Sequence, residues 1–213
     1  GAYRPMVSAA LQRHGLPRDL EAVMFVESGC WPTAVSSAGA TGLWQLMPKT
    51  ARAYGLTVRS EYDERRSLWR STEAAISHLA DLRSQFHSWH LALAAYNYGY
   101  QSLLRRMDET GLDEFFALSR VSDALPKETV LYVPKILAVA VILRNLEYFG
   151  FDGTETRPPL SGAPIEVPPG TRLSLLARAA GTSLRRIKEM NPEVKTETTP
   201  DLGKNVVVHL PTT

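Results

Sequence analysis

Cysteine is almost absent from the 213-residue chain: Cys30 stands alone, which excludes an internal disulfide framework and any CxxC metal or redox pair. The five histidines are scattered without metal-ligand spacing, so the sequence assigns no metal and no cofactor. Charge of one sign is lacking too. The 24 basic and 22 acidic side chains alternate and nearly cancel to +2, so no strong field points to nucleic acid or an anionic membrane surface. Long apolar runs are missing as well. The longest, "ILAVAVIL" at 136–143, falls well short of the ~20 residues a membrane-spanning helix needs, and Lys135 and Arg144 flank it. It reads as a core helix, and no membrane attachment is visible. No signal peptide stands at the start, and Gly1 in place of Met suggests a processed or recombinant form.

What is present is a 44% hydrophobic content, enough to bury a real core, in a length that suits one ordinary domain and a small appendage. Helical periodicity dominates to about residue 149. It predicts helices at 5–13, 18–28, 48–54, 72–86, 89–97 and 129–147, with a start signal at Ser71 or Thr72, and no alternating strand. Gly, Pro, Ser and Thr then concentrate in "GFDGTETRPPLSGAPIEVPPG" at 150–170, which marks a linker. Beyond it a short strand at Ile165 and Val167, two short helices separated by Gly181, and a closing strand in "NVVVHLP" predict a strand-helix-helix-strand unit. A unit of that size is near the lower limit for folding alone and is expected to lean on its neighbour. The expected organisation is mainly α with a small α+β appendage: 1–149, a linker at 150–163, and 164–213.

One residue breaks the first strong helical stripe. After Leu20, Val23 and Met24, the position that should carry another apolar side chain carries Glu27. Gly29 follows, a common place for a helix to end. A carboxylate in the last turn, at the negative end of the macrodipole and beside apolar neighbours, is expected to have a raised pKa and so to serve as a general acid. A solvated surface glutamate is the plain alternative. The next segment, "SSAGATGLWQLMP", combines turn-permitting glycines, a hydroxyl at Ser36 and one amide, Gln45, in an apolar run, which suits the wall of a ligand groove. As a phosphate cradle it lacks both the preceding strand and the following Lys-Ser/Thr.

Four ordered motifs carry a resemblance: "ES" at 27–28, "GLWQLMP" at 42–48, "AYNYG" at 95–99 and "LPKETVLYVPKI" at 125–136. "DERRSLWRSTEAAISHL" and "WHLALAAYN" match between them. Over residues 10–149 the chain resembles the lytic transglycosylases with a lysozyme-like fold, of the soluble-transglycosylase type. The resemblance implies that Glu27 is the catalytic acid/base and that Ser36, Gln45 and Met47 contact the sugar and its N-acetyl group. It places Tyr96 and Asn97 as an aromatic-amide pair lining the cleft, with Glu128 and Tyr132 on a helix packed behind the catalytic residue and Tyr132 a hydrogen-bond partner for it. Core packing is an alternative for Met47 and Tyr132, and helix capping for Glu128. Three positions depart from the family pattern: Val130 replaces a common Arg, Cys30 an aromatic or polar residue, and Tyr98 a small one. Tyr98 is thereby expected either to narrow a subsite or to add a stacking surface.

The tail resembles a LysM peptidoglycan-binding module through "VPPGTRLSLLARAAGTSLRRIKEMNPEV" and "VVVHLP". Thr171 and Arg172 displace the acidic and hydroxyl residues of the usual turn, so sugar binding and a structural role both stand. Tethered wall binding predicts that bond cleavage survives removal of the tail.

Glycosidases ordinarily use two carboxylates, whereas the motif here offers Glu27 alone. The implied reaction is cleavage of the β-1,4 bond between N-acetylmuramic acid and N-acetylglucosamine, with substrate-assisted formation of a 1,6-anhydro sugar. The implied partner is a peptidoglycan glycan strand, and the implied location the periplasm or cell envelope of a bacterium. Two alternatives remain: a goose-type lysozyme-like hydrolase, requiring a second acid among Asp63, Asp81 and Asp123, and a non-catalytic peptidoglycan-binding protein. Oligomeric state is not legible.

Overall fold

The structure, a computed structural model, describes residues 2–151 and 160–212. Up to residue 151 the described elements are helical: α1 (Arg4–Arg13), a 3-10 turn (Arg18–Leu20) leading into α2 (Glu21–Ser28), α3 (Pro48–Ala53), α4 (Leu68–Phe86), α5 (Trp89–Tyr98), α6 (Tyr100–Thr110), α7 (Phe115–Leu118) and α8 (Lys127–Arg144). After residue 159 come β1 (Gly162–Val167), α9 (Leu173–Ala179), α10 (Leu184–Met190) and β2 (Val206–Pro211). The fold is mainly helical. Most of the expected linker, 152–159, lies outside the described residues.

Several boundaries differ from expectation for local reasons. Helix α4 starts at Leu68, because the Ser67 hydroxyl accepts the Arg70 N–H at 3.4 Å. Ser71 and Thr72, expected at its start, lie inside it and donate their hydroxyls back to the carbonyls of Ser67 and Leu68 at 2.5 and 2.6 Å. Helices α6 and α7 were not expected. Gly99, at φ 96°, separates α5 from α6, whose apolar residues Leu103, Leu104 and Met107 form a narrow stripe on an otherwise polar helix, with Leu103 alone fully buried. Helix α8 runs 127–144 instead of 129–147 and carries Pro134 within it.

The chain divides into two compact units: one of residues 1–10, 27–75 and 155–213, the other of 11–26 and 76–154. In the first, Leu43, Trp44, Ala51 and Leu68 are wholly buried, and the Trp44 indole N–H donates to Thr72 Oγ1 at 2.9 Å. The buried Arg65 pairs with Asp63 at 2.7 Å and donates from Nη1 to the carbonyls of Gly39 and Leu46, at 2.7 and 3.2 Å. Gly42 lies against this arginine. At φ 88°, a Cβ there would stand 1.8 Å from the Arg65 carbonyl oxygen, so no other residue fits the first position of "GLWQLMP".

The tail belongs to the same unit. Strands β1 and β2 pair antiparallel from Gly162↔Pro211 to Val167↔Val206, enclosing α9 and α10 in the expected order. Val167, Leu173, Leu176, Ala177, Ile187, Val194, Val206 and Val208 form its core, and Tyr62 is packed among them. Backbone bonds fix the insertion: Asp63 N–H to the Glu193 carbonyl and Lys195 N–H to the Glu61 carbonyl, both at 3.0 Å. Trp69 stacks on His209 at 3.6 Å and 8°. The lean expected of so small a module is a shared core.

In the second unit, Ser88 caps α5 by accepting the Leu91 N–H, and Leu91 to Ala95 are all buried. Thr129, Tyr132, Val133, Ile136 and Ala140 are the buried side chains of α8, and Arg144 at its end pairs with Asp19 through two nitrogens.

Candidate active site

Glu27 occupies the last turn of α2 and is half-buried. The helix stops there because Gly29 and Cys30 both take left-handed backbone, φ 58° and 67°. For Cys30, which carries a Cβ, that conformation is strained. Ser28 anchors the end: its hydroxyl donates to the Leu43 carbonyl at 2.9 Å and accepts the Trp31 N–H at 3.2 Å. The carboxylate-bearing turn is thereby tied to "GLWQLMP". Burial pushes the Cys30 thiol up to about 11, with the Arg4 charge opposing, so it is unreactive near neutral pH.

The rest of this wall is a tight double turn. Val35 bridges Thr41, and Thr41 bridges Leu46. The Ser36 hydroxyl accepts the Ala40 N–H at 3.0 Å and closes the first turn. Gln45, at φ 46°, donates from Nε2 to the carbonyls of Ala34 and Gly42, at 3.3 and 2.9 Å, so both amide protons hold the wall together. Met47 starts α3 and is 42% exposed, which excludes core packing for it.

The second unit holds the other expected residues. Tyr96 is half-buried with its ring 5.3 Å from that of His78; burial holds His78 below its usual pKa, with Asp81 opposing. Asn97 ties α5 to the first turn of α8, donating from Nδ2 to Glu128 Oε1 at 3.2 Å and accepting the Thr129 hydroxyl on Oδ1 at 2.7 Å. Tyr98 and Glu109 both act on the Arg106 guanidinium to raise its pKa further. Glu128 is exposed in the first turn of α8, at its positive end, while Tyr132 is buried.

The structure thus brings Glu27, Ser36, Gln45 and Met47 into one unit and Tyr96, Asn97, Tyr98, Glu128 and Tyr132 into the other. Sequence reasoning left Ser28, His78 and Thr129 unassigned. Ser28 lay within the quoted "ES" and could have been found from that pairing. The other two act through side-chain partners 18 and 32 positions away and leave no local signal.

Comparison with known proteins gives a consistent picture. Residues 5–117 match the Transglycosylase SLT domain family. Membrane-bound lytic murein transglycosylase D of Escherichia coli is 32% identical over 207 residues, covering 97% of this chain and 46% of its own length. The chain therefore spans about half of that relative. An inactive glutamate-to-glutamine mutant of lytic transglycosylase Slt from Pseudomonas aeruginosa superposes with TM-score 0.56 at 25% identity, over 70% of this chain and 24% of that one. The 70 kDa soluble lytic transglycosylase of Escherichia coli gives 0.53 at 23%, over 67% and 24%, a likeness of fold. The chain belongs to the Transglycosylase SLT domain family.

Proposed function

We propose that this chain is a peptidoglycan lytic transglycosylase that cleaves the β-1,4 bond between N-acetylmuramic acid and N-acetylglucosamine and leaves a 1,6-anhydro muramic end. The observation that carries the reading is the half-buried Glu27 in the last turn of α2, tied through Ser28 to the "GLWQLMP" wall. A single carboxylate is enough when the substrate supplies the second group. Protonated Glu27 gives its proton to the glycosidic oxygen as the bond to C1 breaks. The oxygen of the muramic N-acetyl group bonds to C1 and carries the positive charge. The C6 hydroxyl oxygen then attacks C1, the N-acetyl oxygen leaves, and the Glu27 carboxylate takes the hydroxyl proton. Acid-base help of this kind contributes roughly 10²- to 10⁴-fold, and the tethered C6 hydroxyl enjoys a large effective molarity over water.

Gln45 uses both amide protons on the wall, so its Oε1 is the atom that accepts from a sugar hydroxyl or N-acetyl N–H. Exposed Met47 supplies an apolar surface for the N-acetyl methyl, and Ser36 shapes the turn that presents it. Tyr96, Asn97 and Tyr98 take the cleft roles implied by the family, with Glu128 fixing Asn97 and Tyr132 supporting from α8. The functional division is 1–149 as catalytic part, 150–163 as connection and 164–213 as a LysM-like wall-binding module, the last supported by its strand-helix-helix-strand order. The partner is the glycan strand, and the place of work the bacterial cell envelope, as the names of the relatives suggest. Mass analysis of fragments released from purified sacculi tests the reading: anhydro-muramic ends support it, and reducing muramic ends give the goose-type hydrolase instead.

A further inference from the structure

Three of the four tryptophans are accounted for by packing or ring contacts: Trp44 is wholly buried, Trp69 stacks on His209, and Trp89 lies under the Arg83 guanidinium at 5.8 Å. Trp31 is different. It is 65% exposed, four residues after Glu27 in the same unit. Four residues of chain span no more than about 14 Å between Cα atoms, so Trp31 stands within a few sugar rings of Glu27. Its backbone is held, with the N–H bonded to both the carbonyl and the hydroxyl of Ser28 and the carbonyl accepting the Ala34 N–H at 3.2 Å. The strained Cys30 immediately precedes it and Pro32 follows, so the turn that presents this ring is rigid. A large apolar ring kept in water on a strained, fixed turn is what a stacking platform needs: area to cover, little entropy to lose, and an N–H donor at its edge.

We propose that Trp31 forms a glycan subsite of its own, stacking its indole on the apolar face of an N-acetylated pyranose and donating its N–H to a sugar hydroxyl. The proposal rests on the glycan-cleaving reading above. It adds a contact outside the residues that resemblance assigns, and it makes Trp31 a determinant of how strongly a strand is held beside Glu27, with no part in proton transfer.

The test uses the full chain with Glu27→Gln, so that nothing turns over, and N-acetylchitotetraose as probe. Because Trp31 is the exposed indole, its emission should shift to shorter wavelength on binding, and Trp31→Ala should abolish the shift and weaken binding about 10-fold, while Trp31→Phe stays within about 3-fold of the parent. With Glu27 intact, Trp31→Ala should raise KM on glycan strands about 10-fold and leave kcat and Tm unchanged, a split that a structural role would not give. An absent emission shift, or unaltered affinity and KM in Trp31→Ala, overturns the subsite. Neither result touches the chemistry of the ends released from sacculi, which judges the reaction separately.

Discussion

At the scale of residues, Glu27 was legible because it violates its surroundings: a carboxylate on an apolar stripe, two residues before the glycine that ends the helix. The account gives Glu27→Gln a clear outcome. The amide is isosteric but cannot donate a proton and recover it, so turnover on glycan strands should fall below ~1% of the parent while Tm and affinity for N-acetylchitotetraose hold. Turnover above that level would remove Glu27 from the acid/base role. Asn97 shows what a sequence conceals. The motif "AYNYG" marks it out, but nothing in the motif reveals that both ends of its amide are bonded to Glu128 and Thr129 on α8. Such partners are chosen by the fold, across thirty residues of intervening chain. Gln45 is similar: its type and place suggested a sugar contact, and only the structure shows that the nitrogen is spent on the carbonyls of Ala34 and Gly42.

At the scale of elements, the helices rich in apolar residues, α2, α5 and α8, were readable within a few residues at each end. Helix α6 was passed over although Leu103, Leu104 and Met107 mark one face of it, and the start of α4 was misplaced because Ser71 and Thr72 have the chemistry of caps but bond backwards inside the helix. The segment 34–47 was readable as a run of turns but not as a set of exact contacts. Gly42 makes the point, because the Arg65 carbonyl that excludes a side chain there lies 23 residues further on. Gly42→Ala combines that clash with positive φ and is expected to cost about 3 kcal/mol or more, a fall in Tm of roughly 8 °C, measured by thermal unfolding. A change under 2 °C, by the same scaling, would mean that the turn has room to relax. The segment that follows α10 carries a buried carboxyl, Glu193. Burial raises Glu193 to about 8, Glu64 adds to the effect, and Ser67 opposes it; one carboxyl oxygen has no hydrogen-bond partner among the described residues. The folded state therefore holds a proton that the unfolded state has already lost above about 4.5, so this group costs stability progressively as pH rises from about 4.5 to about 8. His209, lowered to about 4 by burial, acts oppositely, but only below its ordinary 6.5. Between pH 6.5 and 8.5 the Glu193 effect stands clear of it. The parent Tm should drop by about 5 °C over that range and that of Glu193→Gln by much less; parallel curves would refute a buried neutral carboxyl.

At the scale of the whole molecule, the order of the tail was legible, but its energetic place was not. A strand-helix-helix-strand unit after a Pro- and Gly-rich segment reads as something tethered. In the structure Tyr62 is buried in the core of that unit, and Trp69 stacks on its His209. Removing residues 160–213 is therefore expected to have an effect that loss of a tethered unit would not have. It uncovers Tyr62, strips the partners from the backbone of Glu61 and Asp63, and should reduce Tm by roughly 10 °C, with loss of cleavage following loss of fold. Unchanged Tm and cleavage would restore the tethered picture. The central claim concerns the reaction, and the most direct measurement is mass spectrometry of the fragments this chain releases from purified sacculi. A lone carboxylate with the C6 hydroxyl held beside C1 predicts ends of 1,6-anhydro-N-acetylmuramic acid, lighter by one water than hydrolysis products. Reducing-end muramic acid as the main product would contradict the account and require a second acid beside Glu27.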